Sequence, residues 1–419
     1  MAFIYLTTLS IVTGAFFIRT DWPFGFDGAY LSLFGLGFLM SYYTLRYAFR
    51  KKVFWPGLLG WCTLLWGVLT AITALVSAVV LSEVPAGLFF LNEMILVIAF
   101  MLAGYLPVYN GARPEKLFWL VVLVGILSAW PLYRDLESLE SVRRVMHLGS
   151  RNYMAASYGA TLSFCLVGII WAIAEKNHKS LFFALTSLLL LVLPFFLAGS
   201  RSVFIGVFLS ILVSVSLFIW IHRHRLSAIA FPATGLLCVM ALIIVVFSSL
   251  TDEINLDMLF ARYSKEGLKA GISGRTAVLQ AYLPDGVWAT LFGDPSQYAL
   301  FPGGGSAYPH NLVVSSWLFA GLPSVTALTV LLTMFCFQIN RLICTIQSTQ
   351  SLKSPLMLLA VVVVLLTYSM ASGHMTRSWH LFWALGLLAG SIDRLKAKKA
   401  RLGANVPRGT ANSLTLSHR

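Results

Sequence analysis

Three side chains of this sequence have the type and setting to act on a substrate that carries phosphate: Arg201, Arg275 and His310. Arg201 lies in Gly199-Ser200-Arg201-Ser202, a polar break inside a long apolar run, and Arg275 ends Ser273-Gly274-Arg275, at the expected start of a helix. His310 stands in Tyr308-Pro309-His310-Asn311, ahead of another apolar run. Proline suits the first turn of a helix, so a helix is expected from 309, with the imidazole at its positive N-terminal end. That field disfavours imidazolium, and a neutral imidazole is what a general base needs to take a proton from a hydroxyl. The plainer alternative is a histidine that caps its helix or bonds a neighbouring carbonyl.

What must hold these residues is a set of membrane helices. The chain has 419 residues, 58% of them hydrophobic and only 11% charged, and its mean hydropathy is +0.82. A soluble core cannot bury that much apolar surface, which excludes a soluble enzyme. Apolar stretches long enough to cross ~30 Å of hydrocarbon recur between short polar breaks. The expected fold is all-α and polytopic, with about twelve transmembrane helices near 2–18, 27–45, 54–81, 86–107, 117–133, 153–174, 181–198, 203–221, 227–249, 309–339, 355–371 and 379–392. The run 181–221 is too long for one crossing, so it divides at Gly199-Ser200-Arg201 and leaves Arg201 at a turn. The first stretch has neither a basic leader nor a small-residue cleavage site and reads as a retained helix.

With both termini cytoplasmic, the inner segments hold 19 of the 30 Lys+Arg and the outer segments 11, the asymmetry of the positive-inside rule. The expected domain is a transmembrane unit over 1–392 with a large periplasmic loop, 250–308, between helices 9 and 10. A basic cytoplasmic tail, 393–419, is expected to be solvated and to touch anionic headgroups. Cytoplasmic basic residues are the ordinary condition of membrane proteins, so no nucleic-acid partner is expected.

On the outer side the basic residues are nine arginines (Arg19, Arg134, Arg143, Arg144, Arg151, Arg201, Arg262, Arg275, Arg377) against Lys265 and Lys269. Arginine grips phosphate oxygens through a planar fork and is more weakly hydrated than lysine, so the bias suits a pyrophosphate. The alternative is that these residues meet outer headgroups or pair with Asp135, Glu137, Glu140 and Glu266. Within the large loop, 256–270 has the pattern of an interfacial amphipathic helix.

Other features carry less. Gly303-Gly304-Gly305 lacks a following Gly-Lys-Ser/Thr, so it is a hinge ahead of His310 and not a nucleotide loop. No Asp-x-Asp occurs, which argues against a metal-clamped nucleotide-sugar donor, and neither the five cysteines nor His147, His374 and His380 have metal-ligand spacing. Glu93 is an acid inside a span, a functional candidate or a bond to a neighbouring helix.

Taken in order, Gly199-Ser200-Arg201-Ser202 between two spans, Ser273-Gly274-Arg275 in a large outer loop, and His310-Asn311 followed by an apolar helix with Gly321 resemble the O-antigen ligase and polymerase superfamily. The resemblance covers roughly 150–340. It implies a membrane glycosyltransferase of the inner membrane, without metal or other cofactor, that uses an undecaprenyl-pyrophosphate-linked glycan at the periplasmic face. It further implies that Arg201 and Arg275 hold the donor pyrophosphate and that His310 activates the acceptor hydroxyl, with inversion at the anomeric carbon. Asn311, Arg151 and Arg377 are the further expected substrate contacts. A ligase takes a lipid A-core acceptor, a polymerase a second lipid-linked repeat, and the ligase is the preferred reading. A transporter of polyprenyl-linked glycan is the rival from another class. It predicts charges through the membrane depth and repeated broken helices.

Overall fold

The structure is a computed structural model, and it describes residues 2–17, 28–49, 57–80, 84–134, 151–198, 200–222, 286–294, 311–345, 349–371 and 378–404. These residues are almost wholly helical. In chain order the helices are α1 (Ala2–Val12, running into a π-helical turn, Thr13–Phe17), α2 (Gly28–Phe49), α3 (Leu58–Val80), α4 (Val84–Tyr109), α5 (Pro114–Arg134), α6 (Arg151–Ala174), α7 (His178–Ala198), α8 (Arg201–Ile221), α9 (Val287–Phe292), α10 (Leu312–Thr345), α11 (Thr349–Ala371) and α12 (Trp379–Ala404). Seven of them are long and apolar enough to cross a membrane: those within α3, α4, α6, α7, α8, α10 and α11. The protein is an all-α membrane protein. Eleven of the expected segments contain a helix. The remaining one, 227–249, lies outside the described residues, as do Arg275, Pro309, His310, Arg377, the tri-glycine run and 256–270.

The break in 181–221 falls where glycine and serine interrupt the apolar run. α7 ends at Ala198, Ser200 is extended (φ −95°, ψ 116°), and α8 begins at Arg201. The sequence gives a reason: Pro194 weakens the end of α7, and a serine flanking a helix favours non-helical backbone.

Helices α6, α8, α10 and α12 begin at one end of the bundle, called here the upper end, and the turns α4–α5 and α6–α7 close the lower end. Both lower turns are tight: Ala112 N–H reaches Pro107 O at 2.9 Å and Asn177 N–H reaches Ala172 O at 2.9 Å. At the centre runs α6, almost every described side chain of which is buried, packed on α7, α8 and α11. In hydrocarbon, helices gain nothing from burying apolar surface against one another, so close packing and interhelical hydrogen bonds must hold them. Both are present. The Ser210 hydroxyl donates to Ser163 Oγ at 2.8 Å, joining α8 to α6, and Ser128 Oγ meets the Tyr158 hydroxyl at 3.1 Å, joining α5 to α6. Helices α4 and α12 approach backbone to backbone: a Cβ on Gly386 would overlap the Met101 carbonyl, and one on Gly104 the Trp383 carbonyl.

At the lower end α12 continues past the expected limit of its span, and this corrects the reading of Asp393 as the first residue of a solvated tail. Asp393 is buried. The Tyr105 hydroxyl donates to its Oδ2 at 3.0 Å and accepts the Gly57 N–H at 2.9 Å. Glycine at 57 leaves the carboxylate its space, since a Cβ there would lie on it. Arg394 Nη1 donates to Ala112 O at 2.9 Å, and Lys396 Nζ donates to Gln338 Oε1. Nearby, Lys353 pairs with Glu175 at 2.5 Å.

The close α4–α12 crossing generates a stability prediction. Gly386→Leu forces the two backbones apart and is expected to lower the thermal midpoint in detergent by the equivalent of about 3 kcal/mol, the upper range of overpacking. Gly37 on α2, beside which a Cβ meets nothing within 4 Å, is the control: Gly37→Ala should leave stability unchanged or raise it by about 0.5–1 kcal/mol.

Candidate functional site at the upper end

The starts of α6, α8, α10 and α12 lie at the upper end, together with those of α2 and α4. Arg151 is the first residue of α6 and Arg201 the first of α8. Trp379, the first of α12, follows Ser378, whose backbone carbonyl accepts the Leu381 and Phe382 N–H groups. Three contacts relate these elements, two of them through the end of α11. Val203, near the start of α8, lies against Gly159 on the upper half of α6. Ser369 Oγ, near the end of α11, donates to Ser378 Oγ at 3.2 Å. The Asn311 amide donates to the Met370 carbonyl at 2.8 Å, tying the start of α10 to the end of α11.

Asn311 has a local task that the sequence reading did not assign to it. Its Oδ1 accepts the N–H of Val313 at 2.9 Å and of Val314 at 3.1 Å, the two bonds of a helix N-cap. α10 therefore begins at Leu312, and the expectation of a helix from 309, with Pro309 in its first turn, is corrected. Asparagine caps by supplying an acceptor to orphan amides, whereas proline only fixes φ, so the helix starts after the cap.

The loop expected over 250–308 contains one described element, α9, and it does not stand apart from the bundle. Gly286 (φ 87°) and Gly293 (φ 79°) bracket it, both in a backbone region that L side chains avoid. Gly293 lies against the α10 backbone, where a Cβ would come within 2.5 Å of Ala320 N. There α10 is broken at Gly321 (φ 67°, ψ −169°), two residues before Pro323. The break is filled. Asp294 N–H donates to Leu318 O at 2.5 Å, Trp317 Nε1 donates to Thr290 O at 3.0 Å, and the Ser77 hydroxyl donates to Gly293 O. Below it, Ser324 Oγ meets both Ser316 Oγ and Thr70 Oγ1 at 2.7 Å. The one signal for α9 in the sequence is an apolar run framed by two glycines.

Of the residues expected to act, Arg151, Arg201 and Asn311 thus start helices at the same end. His380 is wholly buried in the first turn of α12, its ring 5.9 Å from that of Phe16 and 5.8 Å from that of Tyr368. Glu93 is half-buried on α4. Among the described residues no three His, Cys, Asp or Glu side chains gather as metal ligands. Chemically, the upper end offers backbone N–H groups and the positive ends of helix dipoles, which favour an anion.

Asn311 and Gly321 can be tested by thermal unfolding. Asn311→Ala should cost about 1–2 kcal/mol, the loss of a cap. Asn311→Asp should recover most of that, because a carboxylate keeps the acceptor and suits a helix N-terminus. Gly321→Ala should cost about 1–3 kcal/mol from its backbone conformation alone, and more because a Cβ there would overlap the Leu291 carbonyl.

Compared with protein-family models and with curated proteins, the chain matches none.

Proposed function

We propose that this chain is a membrane glycosyltransferase of the O-antigen ligase kind, which moves a glycan from undecaprenyl pyrophosphate to a sugar hydroxyl of lipid A-core at the periplasmic face of the inner membrane. The observation that carries the reading is the common end at which α6 begins with Arg151, α8 with Arg201 and α10 with its Asn311 cap. Helix N-termini and arginines together suit a pyrophosphate, the group that departs with a growing negative charge. The topology belongs to the same proposal: twelve spans with 227–249 as the ninth, the loop 250–308 in the periplasm, and both termini in the cytoplasm.

In this mechanism Arg201 and Arg275 hold the donor pyrophosphate, with Arg151 and Arg377 as further contacts. His310 takes the proton of the acceptor hydroxyl as its oxygen attacks the anomeric carbon. The bond from that carbon to the pyrophosphate oxygen breaks, its electron pair stays on the pyrophosphate, and the configuration inverts. The arginines stabilise the leaving charge, so the reaction is proposed to need no metal.

A second reading is a transporter for polyprenyl-linked glycan. The broken helix α10 favours it, because transporters place substrates at discontinuous helices.

The deciding measurement is transfer by the purified protein, with undecaprenyl-pyrophosphate glycan as donor in the presence of a chelator. Lipid A-core and a second lipid-linked repeat are offered separately. Glycan on lipid A-core is the expected product, with His310→Ala slower by about 10²- to 10⁴-fold, the usual contribution of a general base. Arg201→Ala should lose about 10²- to 10³-fold in kcat, the scale set by removing one donor to a developing charge. Chain growth on the second repeat would make the protein a polymerase. No transfer to either acceptor, with donor carried across the bilayer, would establish the transporter.

A further inference from the structure

Between α3, α9 and α10 the surface holds a trough of about 540 Å³. We propose that it is a binding site for one acyl chain of a bilayer phospholipid. Both long walls, α3 and α10, are among the helices able to cross a membrane. Along α3 the trough runs from Cys62 to Leu69, and along α10 from Leu322 to Val330, about 10–12 Å at 1.5 Å per residue. Leu291 and Phe292 of α9 close it above, held there by the contact of Gly293 with the break in α10.

The lining decides the chemistry of the occupant. Among the described residues its sole side-chain hydroxyl is that of Thr326, which donates to Leu322 O of its own helix at 2.9 Å. None of these described side chains carries a charge or an amide to bind a sugar, a headgroup or a peptide. The rim side chains Leu65, Leu291, Leu322 and Val330 are exposed, so the trough continues the lipid-facing surface of α3 and α10, and bilayer hydrocarbon is what meets it. An acyl chain there packs beneath Leu291 and Phe292 and braces α9 against Gly321. The proposal is independent of the catalytic reading.

Cys62 lines the trough and reports on it. The test uses the full chain with Cys238→Ser, Cys336→Ser and Cys344→Ser; Cys165 is buried and stays. Delipidated protein in a short-chain detergent is alkylated with N-phenylmaleimide while phosphatidylglycerol is added. The expected result is at least a fivefold slowing of Cys62 alkylation. In native mass spectrometry, Ala327→Trp, which fills the trough, should retain one phospholipid fewer than the parent; Val330→Phe serves if that variant fails to fold. Alkylation unaffected by phosphatidylglycerol would overturn the proposal. So would protection by undecaprenyl phosphate alone, which would assign the trough to a polyprenyl tail, or protection that grows only with protein concentration, which would assign it to a second copy.

Discussion

A peptide group inside a bilayer has no water to bond, and one left unpaired costs several kcal/mol. Among the described residues that constraint is met by nearly continuous helices, and it is hard to meet at the break of α10 at Gly321. The backbone there cannot satisfy itself. A piece of the neighbouring loop does so instead, with Asp294 N–H on Leu318 O and α9 laid against the break through Gly293. Irregular backbone at membrane depth is tolerated where protein covers it, and α9 is that cover. The loop segment and the broken helix therefore stand or fall together, and the Asn311 cap at the start of α10 belongs to the same assembly.

The rest of the packing follows from the lack of a hydrophobic drive between helices in lipid. Hydroxyls join α6 to α8 and α5, and glycines let α4 and α12 touch backbone to backbone. The two ends of the bundle then differ in character. Tight turns and the Lys353–Glu175, Tyr105–Asp393 and Lys396–Gln338 contacts close the lower end. At the upper end lie the starts of α6, on Arg151, of α8, on Arg201, and of α10, behind its Asn311 cap.

Hydropathy alone was enough to locate most helices, because span length is set by the bilayer and not by long-range contacts. The break at Ser200 was legible because an arginine is costly inside hydrocarbon and cheap at a turn, which glycine and serine favour. What could not be read depends on partners distant in sequence. Asp393 looked like the first residue of a polar tail, and its burial is decided by Tyr105, 288 positions away, and by the absence of a side chain at Gly57. α9 is six residues with no useful periodicity, and it is stable only because another glycine, Gly321, yields to it. Asn311 carried its cap in plain sight, but Pro309 offered a competing start, and one residue pattern cannot rank the two. The side chains expected to do chemistry at Arg275, His310 and Arg377 lie outside the described residues.

The placement of charge distinguishes what holds the fold from what the fold holds. A helix C-terminus attracts cations and an N-terminus repels them, each by about 0.3–1 kcal/mol at exposed positions. At the lower end Arg46 in the last turn of α2 obeys the rule, while α7, which begins on His178 and Lys179 with no acid in its first turn, does not. At the upper end it is broken twice, since α6 and α8 each begin on an arginine and neither has an acid in its first turn. Each N-terminus there already carries roughly half a positive charge, so an arginine at the helix start adds no helix stability. Backbone N–H groups and helix dipoles at this end suit an anion, and arginine at a helix start costs least where one is bound.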